Sequence, residues 1–175
     1  MTTPAVRPVG STGHIGMIGI GLMGHGIATN IVKHGYALTV LEHPGNQPLD
    51  ALKAAGARSV DSIAKLAEVS DTLILCVTGS PQVEAILAGE GGLLPVLKPG
   101  TVIIDCSTAI PTSTQRMAEA VQRAGGRFLD APMTRTPKEA AEGRLNLLVG
   151  AMPTCSNNAG RCWPALPRTS PTPVP

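Results

Sequence analysis

The sequence predicts an α/β fold, a doubly wound and mostly parallel sheet with helices on both faces. Three observations carry this. Short apolar runs alternate with segments of helical period along residues 14–150. The strand-like runs are continuously apolar rather than alternating, as in D-T-L-I-L-C-V at Asp71–Val77, which suits a strand covered on both faces. A glycine-rich turn, Gly19-Ile20-Gly21-Leu22-Met23-Gly24, joins the first strand-like run to the first helical one.

The elements follow in order. His14–Gly19 is a short apolar strand closed by glycine. Leu22–His34 has a helical stripe of Met23, Ile27 and Ile31, and Gly35 stops it. Ala37–Leu41 is the second strand, and Asp50–Ala55 a short helix before Gly56. Asp61 is expected to cap a helix over Ser62–Glu68. Asp71–Val77 is the next strand. Ser80 is expected to cap Gln82–Ala88, with Pro81 in the first helical position. Thr101–Asp105 reads as a further buried strand, and Pro111–Ala124 as a helix begun by proline and stopped by Gly125-Gly126. Arg127–Asp130 and Leu145–Val149 are expected to be the last two strands. Parallel strands joined by helices require right-handed crossovers.

Composition narrows the function. The 175 residues are 43% apolar, enough for one core of this kind. Fourteen bases against 12 acids leave a formal charge of +2, no electrostatic footprint for nucleic acid or a membrane surface. Tyr36, Phe128 and Trp163 are the sole aromatics, so no stacking platform for nucleic acid is expected either. No apolar run approaches ~20 residues, so no transmembrane helix is expected. Met1–His14 lacks the basic and apolar regions of a secretory leader.

The composition changes at Gly150. Up to that point acids and bases balance. Ala151–Pro175 holds two arginines, no acid, and six of the 16 prolines, without a helical or strand period. A disordered tail is expected there, and a flexible end over Met1–Gly13. The P-x-P spacing at Pro171–Pro175 is weak support for a proline-rich ligand. Cys76 and Cys106 lie in apolar runs, where cysteine acts as a small hydrophobe. Cys155 and Cys162 lie in the tail. With no C-x-x-C pair, neither a metal site nor a redox motif is expected, and a reducing cytoplasm is the expected compartment.

The glycine turn carries chemistry. Gly19 permits the tight turn, Gly21 lets a pyrophosphate approach the backbone, and Gly24 lets helix and strand pack closely. The helix start then offers N–H groups and partial positive charge to the phosphates. The plain alternative is a glycine turn with no ligand. Glu42 ends the second strand near the ~20-residue offset of the ribose-binding acid. A carboxylate there accepts from both ribose hydroxyls and repels a 2′-phosphate, which favours NAD over NADP. His43, when protonated, suits a 2′-phosphate, so NADP stays open, as does a solvated Glu42. His14, His25 and His34 have no metal-ligand spacing, and His34 complements a helix C-terminus. Ser107 has no His–Asp arrangement that would make it a nucleophile.

With these motifs in view, residues 14–150 resemble the β-hydroxyacid dehydrogenase family. Ile15–Asn30 is similar to its cofactor fingerprint, with a helical asparagine. Asp105–Pro111 (D-C-S-T-A-I-P) is similar to its D-x-S-T-x-x-P segment, Asp130–Met133 to D-A-P-V, and Gly143–Gly150 to the strand that follows. The resemblance implies a Rossmann-type domain that binds NAD, with NADP possible. It implies pyrophosphate contacts at Gly19, Ile20, Gly21, Leu22, Met23 and Gly24, and adenosine contacts at Glu42 and His43, where NADP-preferring members carry Asn-Arg. Val77, Thr78 and Gly79 match a loop along the cofactor, and Thr108 a residue beside the nicotinamide. Ser107, Thr134, Arg135 and Thr136 fall at substrate positions, the last three replacing a common S-G-G loop. A G-R-T loop of this type occurs in sulfolactaldehyde-reductase-like members. Arg135 offers a fork of donors to an anionic head group with more than one charged oxygen, or else pairs with Glu139 one helical turn on.

The family moves hydride between nicotinamide and the alcohol carbon of a small hydroxy acid. A lysine in a later helical domain serves as general acid/base. No lysine follows Lys138, so Lys33, Lys53, Lys65, Lys98 and Lys138 carry no catalytic role over. The helical domain and much of the oligomer interface are expected to be missing, leaving a monomer or weak self-association with little or no turnover. A one-base shift of reading frame near Gly150 accounts for the tail. The code permits an original string beginning G-G-D-A-D-V-L-E-Q, amphipathic and similar to family sequence. A natural short form is the alternative. A non-catalytic dinucleotide-binding module, acting as sensor or partner subunit, is the rival function.

Overall fold

The computed structural model describes residues 13–151. It realises the expected alternation of strands and helices. In chain order these are β1 His14–Ile18, α1 Leu22–Lys33, β2 Ala37–Leu41, α2 Asp50–Ala54, β3 Arg58–Val60, α3 Ile63–Val69 and β4 Thr72–Leu75. There follow α4 Ser80–Ala88, a 3₁₀ turn Leu94–Val96, β5 Val102–Asp105, α5 Pro111–Arg123 and β6 Arg127–Asp130. Last come β7 Met133–Thr134, α6 Pro137–Ala141, β8 Asn146–Leu147 and β9 Gly150–Ala151.

The main sheet runs β3-β2-β1-β4-β5-β6-β9. The first six strands are mutually parallel, and β9 alone is antiparallel, on β6. This is the Rossmann-type arrangement. Side chains alternate through each strand, so a sheet covered on both faces builds two cores. Met17, Ile74, Ile104 and Leu129 enter one with Ala28 of α1. Leu73, Leu75, Ile103 and Phe128 enter the other with Leu66, Val83, Leu87 and Val121 of α3, α4 and α5. The apolar runs of β4 and β5 are therefore continuous because each neighbouring residue faces a different helix layer.

Four expectations need correction. Leu145–Val149 is not one buried strand. Asn146–Leu147 pairs antiparallel with Met133–Thr134 in a separate small sheet, and Gly150–Ala151 returns to β6. Pro132 lacks an N–H for a ladder, and its carbonyl instead accepts from Leu148 N at 3.0 Å, leaving Leu148 and Val149 exposed. The cap of α3 is Ser62, whose hydroxyl accepts from Lys65 N, while Asp61 forms an ion pair with Lys65. Gly79, not Ser80, caps α4, because the Ser80 hydroxyl accepts from Ile110 N at 2.7 Å. The elements β3, β7 and α6 are additions to the expected order. The expected flexible end and proline-rich tail lie outside the described residues, except Gly13 and Ala151. Among the described residues no helix is long and apolar enough to cross a membrane.

Candidate functional site

Strand order reverses between β1 and β4, and in such sheets ligands bind beyond the carboxyl ends of the strands at that point. There the loop after β1 meets those after β2, β4 and β5. Gly19 has φ +94°, and a Cβ on it would also strike the Cys76 carbonyl. A Cβ on Gly24 would strike the Gly19 carbonyl. Gly21 differs from both: its φ is −77°, and nothing lies within 4 Å of where its Cβ would be. Backbone geometry requires the first glycine and packing the third. The second is required by neither, and it stands at the N-terminus of α1, which no side chain caps. That open cradle fits the pyrophosphate of a dinucleotide.

The other loop residues divide by role. Ile20 is wholly buried, and its N–H donates to Asn46 Oδ1 at 3.3 Å while its carbonyl accepts from Gln47 N at 2.7 Å. Asn46 Nδ2 also donates to the Leu41 carbonyl, so this residue laces the glycine loop to the end of β2. Leu22, 67% exposed, and half-buried Met23 open α1. No motif marks Asn46, which is why the sequence did not reveal it.

Two further loops are tied together. Ser107, buried, accepts from Val77 N through its hydroxyl at 3.0 Å, and its own N–H donates to Asp105 Oδ1 at 2.9 Å. With the Ser80–Ile110 bond, this fixes Val77, Thr78 and Gly79 against Thr108, whose carbonyl would lie 3.4 Å from a Cβ on Gly79. Thr78 and Thr108 face solvent. Ser107 is thus placed to hold this wall together rather than to reach out from it. Burial raises the carboxyl of Asp105, despite the opposing bonds from Ser107, and pushes the Cys76 thiol up to about 11. Cys106 is raised further by burial, then by Cys76, so both thiols stay protonated and unreactive near neutrality.

Glu42 and His43 line an open cleft with Pro44, Asn46, Gln47 and Leu49. Glu42 Oε1 accepts from Ser59 Oγ at 2.6 Å and Lys53 Nζ at 3.0 Å. Its carboxyl is lowered, first by Ser59 and then by Lys53. His43 Nδ1 accepts from Gly45 N at 3.0 Å.

Thr134 at the end of β7, and Arg135 and Thr136 between it and α6, are exposed. Arg135 has φ +85°, the left-handed region, where a non-glycine side chain is strained. Its expected partner Glu139 is engaged elsewhere: it accepts from Thr136 N at 3.1 Å and from the Thr136 hydroxyl, closing a capping box on α6. The pairing of Arg135 with Glu139 is therefore not formed. Among the described residues no cluster of three or more His, Cys, Asp or Glu is placed to hold a metal.

Residues 14–165 match the family model described as the NAD binding domain of 6-phosphogluconate dehydrogenase. The chain is 37% identical over 136 residues to 2-hydroxy-3-oxopropionate reductase of Escherichia coli, covering 78% of this chain and 46% of that protein. It is 33% identical over 146 residues to the mitochondrial 3-hydroxyisobutyrate dehydrogenase of Mus musculus, covering 83% and 43%. The chain belongs to the β-hydroxyacid dehydrogenase family.

A crystal structure of a β-hydroxyacid dehydrogenase, 3-hydroxyisobutyrate dehydrogenase from Salmonella typhimurium, superposes with TM-score 0.77 at 26% identity, over 87% of this chain and 53% of that one. A second neighbour, Psf3 in complex with NADP⁺ and 2-OPP, gives 0.75 at 25% identity, over 87% and 55%. The β-hydroxyacid dehydrogenase match and the cradle agree that this is an NAD(P)-binding domain of an oxidoreductase. The chain spans about half the length of the curated relatives it matches.

Proposed function

We propose that this chain supplies the dinucleotide-binding half of an enzyme that moves hydride between nicotinamide and a small β-hydroxy acid. Gly21 carries the reading: neither its own backbone nor any neighbour needs a glycine there, so the space it leaves open is for a ligand. A bound dinucleotide supplies the hydride acceptor or donor. The chain's own groups hold it: amides at the start of α1 for the phosphates, Glu42 for the adenosine ribose, and the Val77–Gly79 and Thr108 wall along its length. Glu42, which follows β2 and lines the open cleft, favours NAD.

Calorimetry tests this. The chain is expected to bind NADH more tightly than NADPH. Gly21→Ala is expected to weaken binding with an unchanged melt, since the added Cβ meets nothing within 4 Å beyond its own chain neighbours. Equal NADH affinity in the variant overturns the reading.

Arg135 supports an anionic substrate with a carboxylate or sulfonate head. Its strained backbone and exposed side chain give the fold nothing, and a guanidinium fork suits such oxygens. Arg135→Gly is expected to stabilise the chain by about 1 kcal/mol and to weaken binding of hydroxy carboxylates and hydroxy sulfonates. Unchanged affinity for both overturns the assignment.

A non-catalytic dinucleotide module is favoured by one observation. Lys53, Lys65 and Lys98 are engaged with Glu42, Asp61 and the Glu68 carbonyl. A lost general acid/base lowers turnover by roughly 10²–10⁴-fold. Oxidation of 3-hydroxy acids by the chain excludes the module reading.

A further inference from the structure

We propose that Ser59 and Lys53 are positioning residues for the Glu42 carboxylate and through it set the choice between NAD(H) and NADP(H). The proposal rests on the reading of Glu42 as the ribose-binding acid. Ser59 comes from β3, where it stands beside Val40 of β2, and Lys53 from α2. Both donate to one oxygen, Oε1. A carboxylate whose Oε1 is held at two points has lost the rotation it would otherwise keep at an exposed strand end. Its free side is thus preset for the two adjacent hydroxyls of a ribose. The bonds have the same effect on charge, for both donors hold the carboxyl below its ordinary value and keep it ionised.

The two donors differ in electrostatics. Ser59 orients Glu42 without changing the net charge of the cleft. Lys53 orients it and offsets its charge at 3.0 Å. Glu42 alone repels a 2′-phosphate; Glu42 with Lys53 repels it less. The cleft is therefore a tempered discriminator, and its two supports push selectivity in opposite directions. All three side chains are partly or wholly exposed, so replacing the supports removes no core packing.

Calorimetric titration of the chain with NADH and with NADPH, at low and at moderate salt, tests this. Ser59→Ala is expected to weaken NADH about three- to tenfold, the effect of one lost hydrogen bond, with NADPH changed less. Ser59→Thr keeps the hydroxyl and is expected to restore NADH affinity. Lys53→Met is expected to weaken NADPH more than NADH, so that the preference for NADH grows, and added salt is expected to shrink that change. A structural role alone would move both cofactors together. The proposal is overturned if the NADH-to-NADPH affinity ratio of Ser59→Ala and of Lys53→Met stays within about twofold of the parent. If Glu42→Ala itself leaves NADH affinity unchanged, it is the reading of Glu42 as ribose acid that fails.

Discussion

Asp105 is fully enclosed at the carboxyl end of β5, with Oδ1 engaged by Ser107 N and Oδ2 without a hydrogen-bond partner. Asp130 stands beside it in register on β6, and its carboxyl is also raised, by burial first and then by Asp105. A raised carboxyl holds its proton more firmly in the folded chain. The stability this gives is complete below the ordinary value of 3.8 and is lost as pH rises through the raised folded value. Asp105→Asn keeps the acceptor for Ser107 N and carries no charge. Its stability relative to the parent is therefore expected to rise between pH 4 and pH 7 in denaturant titrations. A pH-independent difference would contradict this. The same substitution is expected to bring the Asp130 carboxyl down toward its usual range, visible in a chemical-shift titration. The sequence showed the aspartate and the Ser-Thr after it, and the family resemblance placed both. It could not show that Ser107 faces inward onto Val77 N, because that contact joins two loops 30 residues apart. Ser59 was hidden for the same reason: its meeting with Glu42 depends on β3, a strand of three residues, too short for a period to register.

At the level of elements, the docking of α6 on α1 connects the two halves of the site. A Cβ on Gly26 would come within 2.8 Å of the Ala140 main chain and side chain, so the helices meet backbone to backbone. Asn30, one turn further along α1, donates from Nδ2 to the carbonyls of Ala140 and Ala141 at 2.9 and 3.1 Å. These carbonyls lie at the end of α6, where Ala140 also accepts from Gly143 N at 3.2 Å. The other end of α6 is the Thr136 cap, next to Arg135. Asn30 thus holds α6, and with it the Thr136 cap, onto the helix that begins at Gly21. Asn30→Ala is expected to cost about 1–2 kcal/mol and to speed amide exchange over residues 137–141 while β4 and β5 stay protected. Unaltered exchange in α6 would remove this role. The long, strongly patterned elements were legible: β2 falls where the sequence put it, and α1 and α5 end within a residue of expectation. The five-residue α6, opened by Thr136-Pro137, was not, because one turn of helix has no stripe, and it is held by its Thr136–Glu139 capping box and by Asn30 of α1.

At the scale of the whole molecule, the order of strands does most of the functional work. Placing β1 between β2 and β4 brings the glycine turn within reach of both Glu42 and the Val77–Thr108 wall, three groups separated widely in the chain. Alternation and apolar runs predicted that order as a class, and the glycine motif fixed where the cradle would be. The division of residues 145–151 into two short antiparallel pairings was not legible, since a short apolar run reads as a buried strand whether or not a partner is there. That last pairing has a consequence of its own. β3 ends one side of the sheet with only three residues, and on the other side Gly150–Ala151 lies across the Leu129–Asp130 end of β6. Open strand edges invite pairing with the edge of another molecule. Two residues running against the grain of the sheet cover this end of β6, and a second copy seeking to extend the sheet there would first have to displace them.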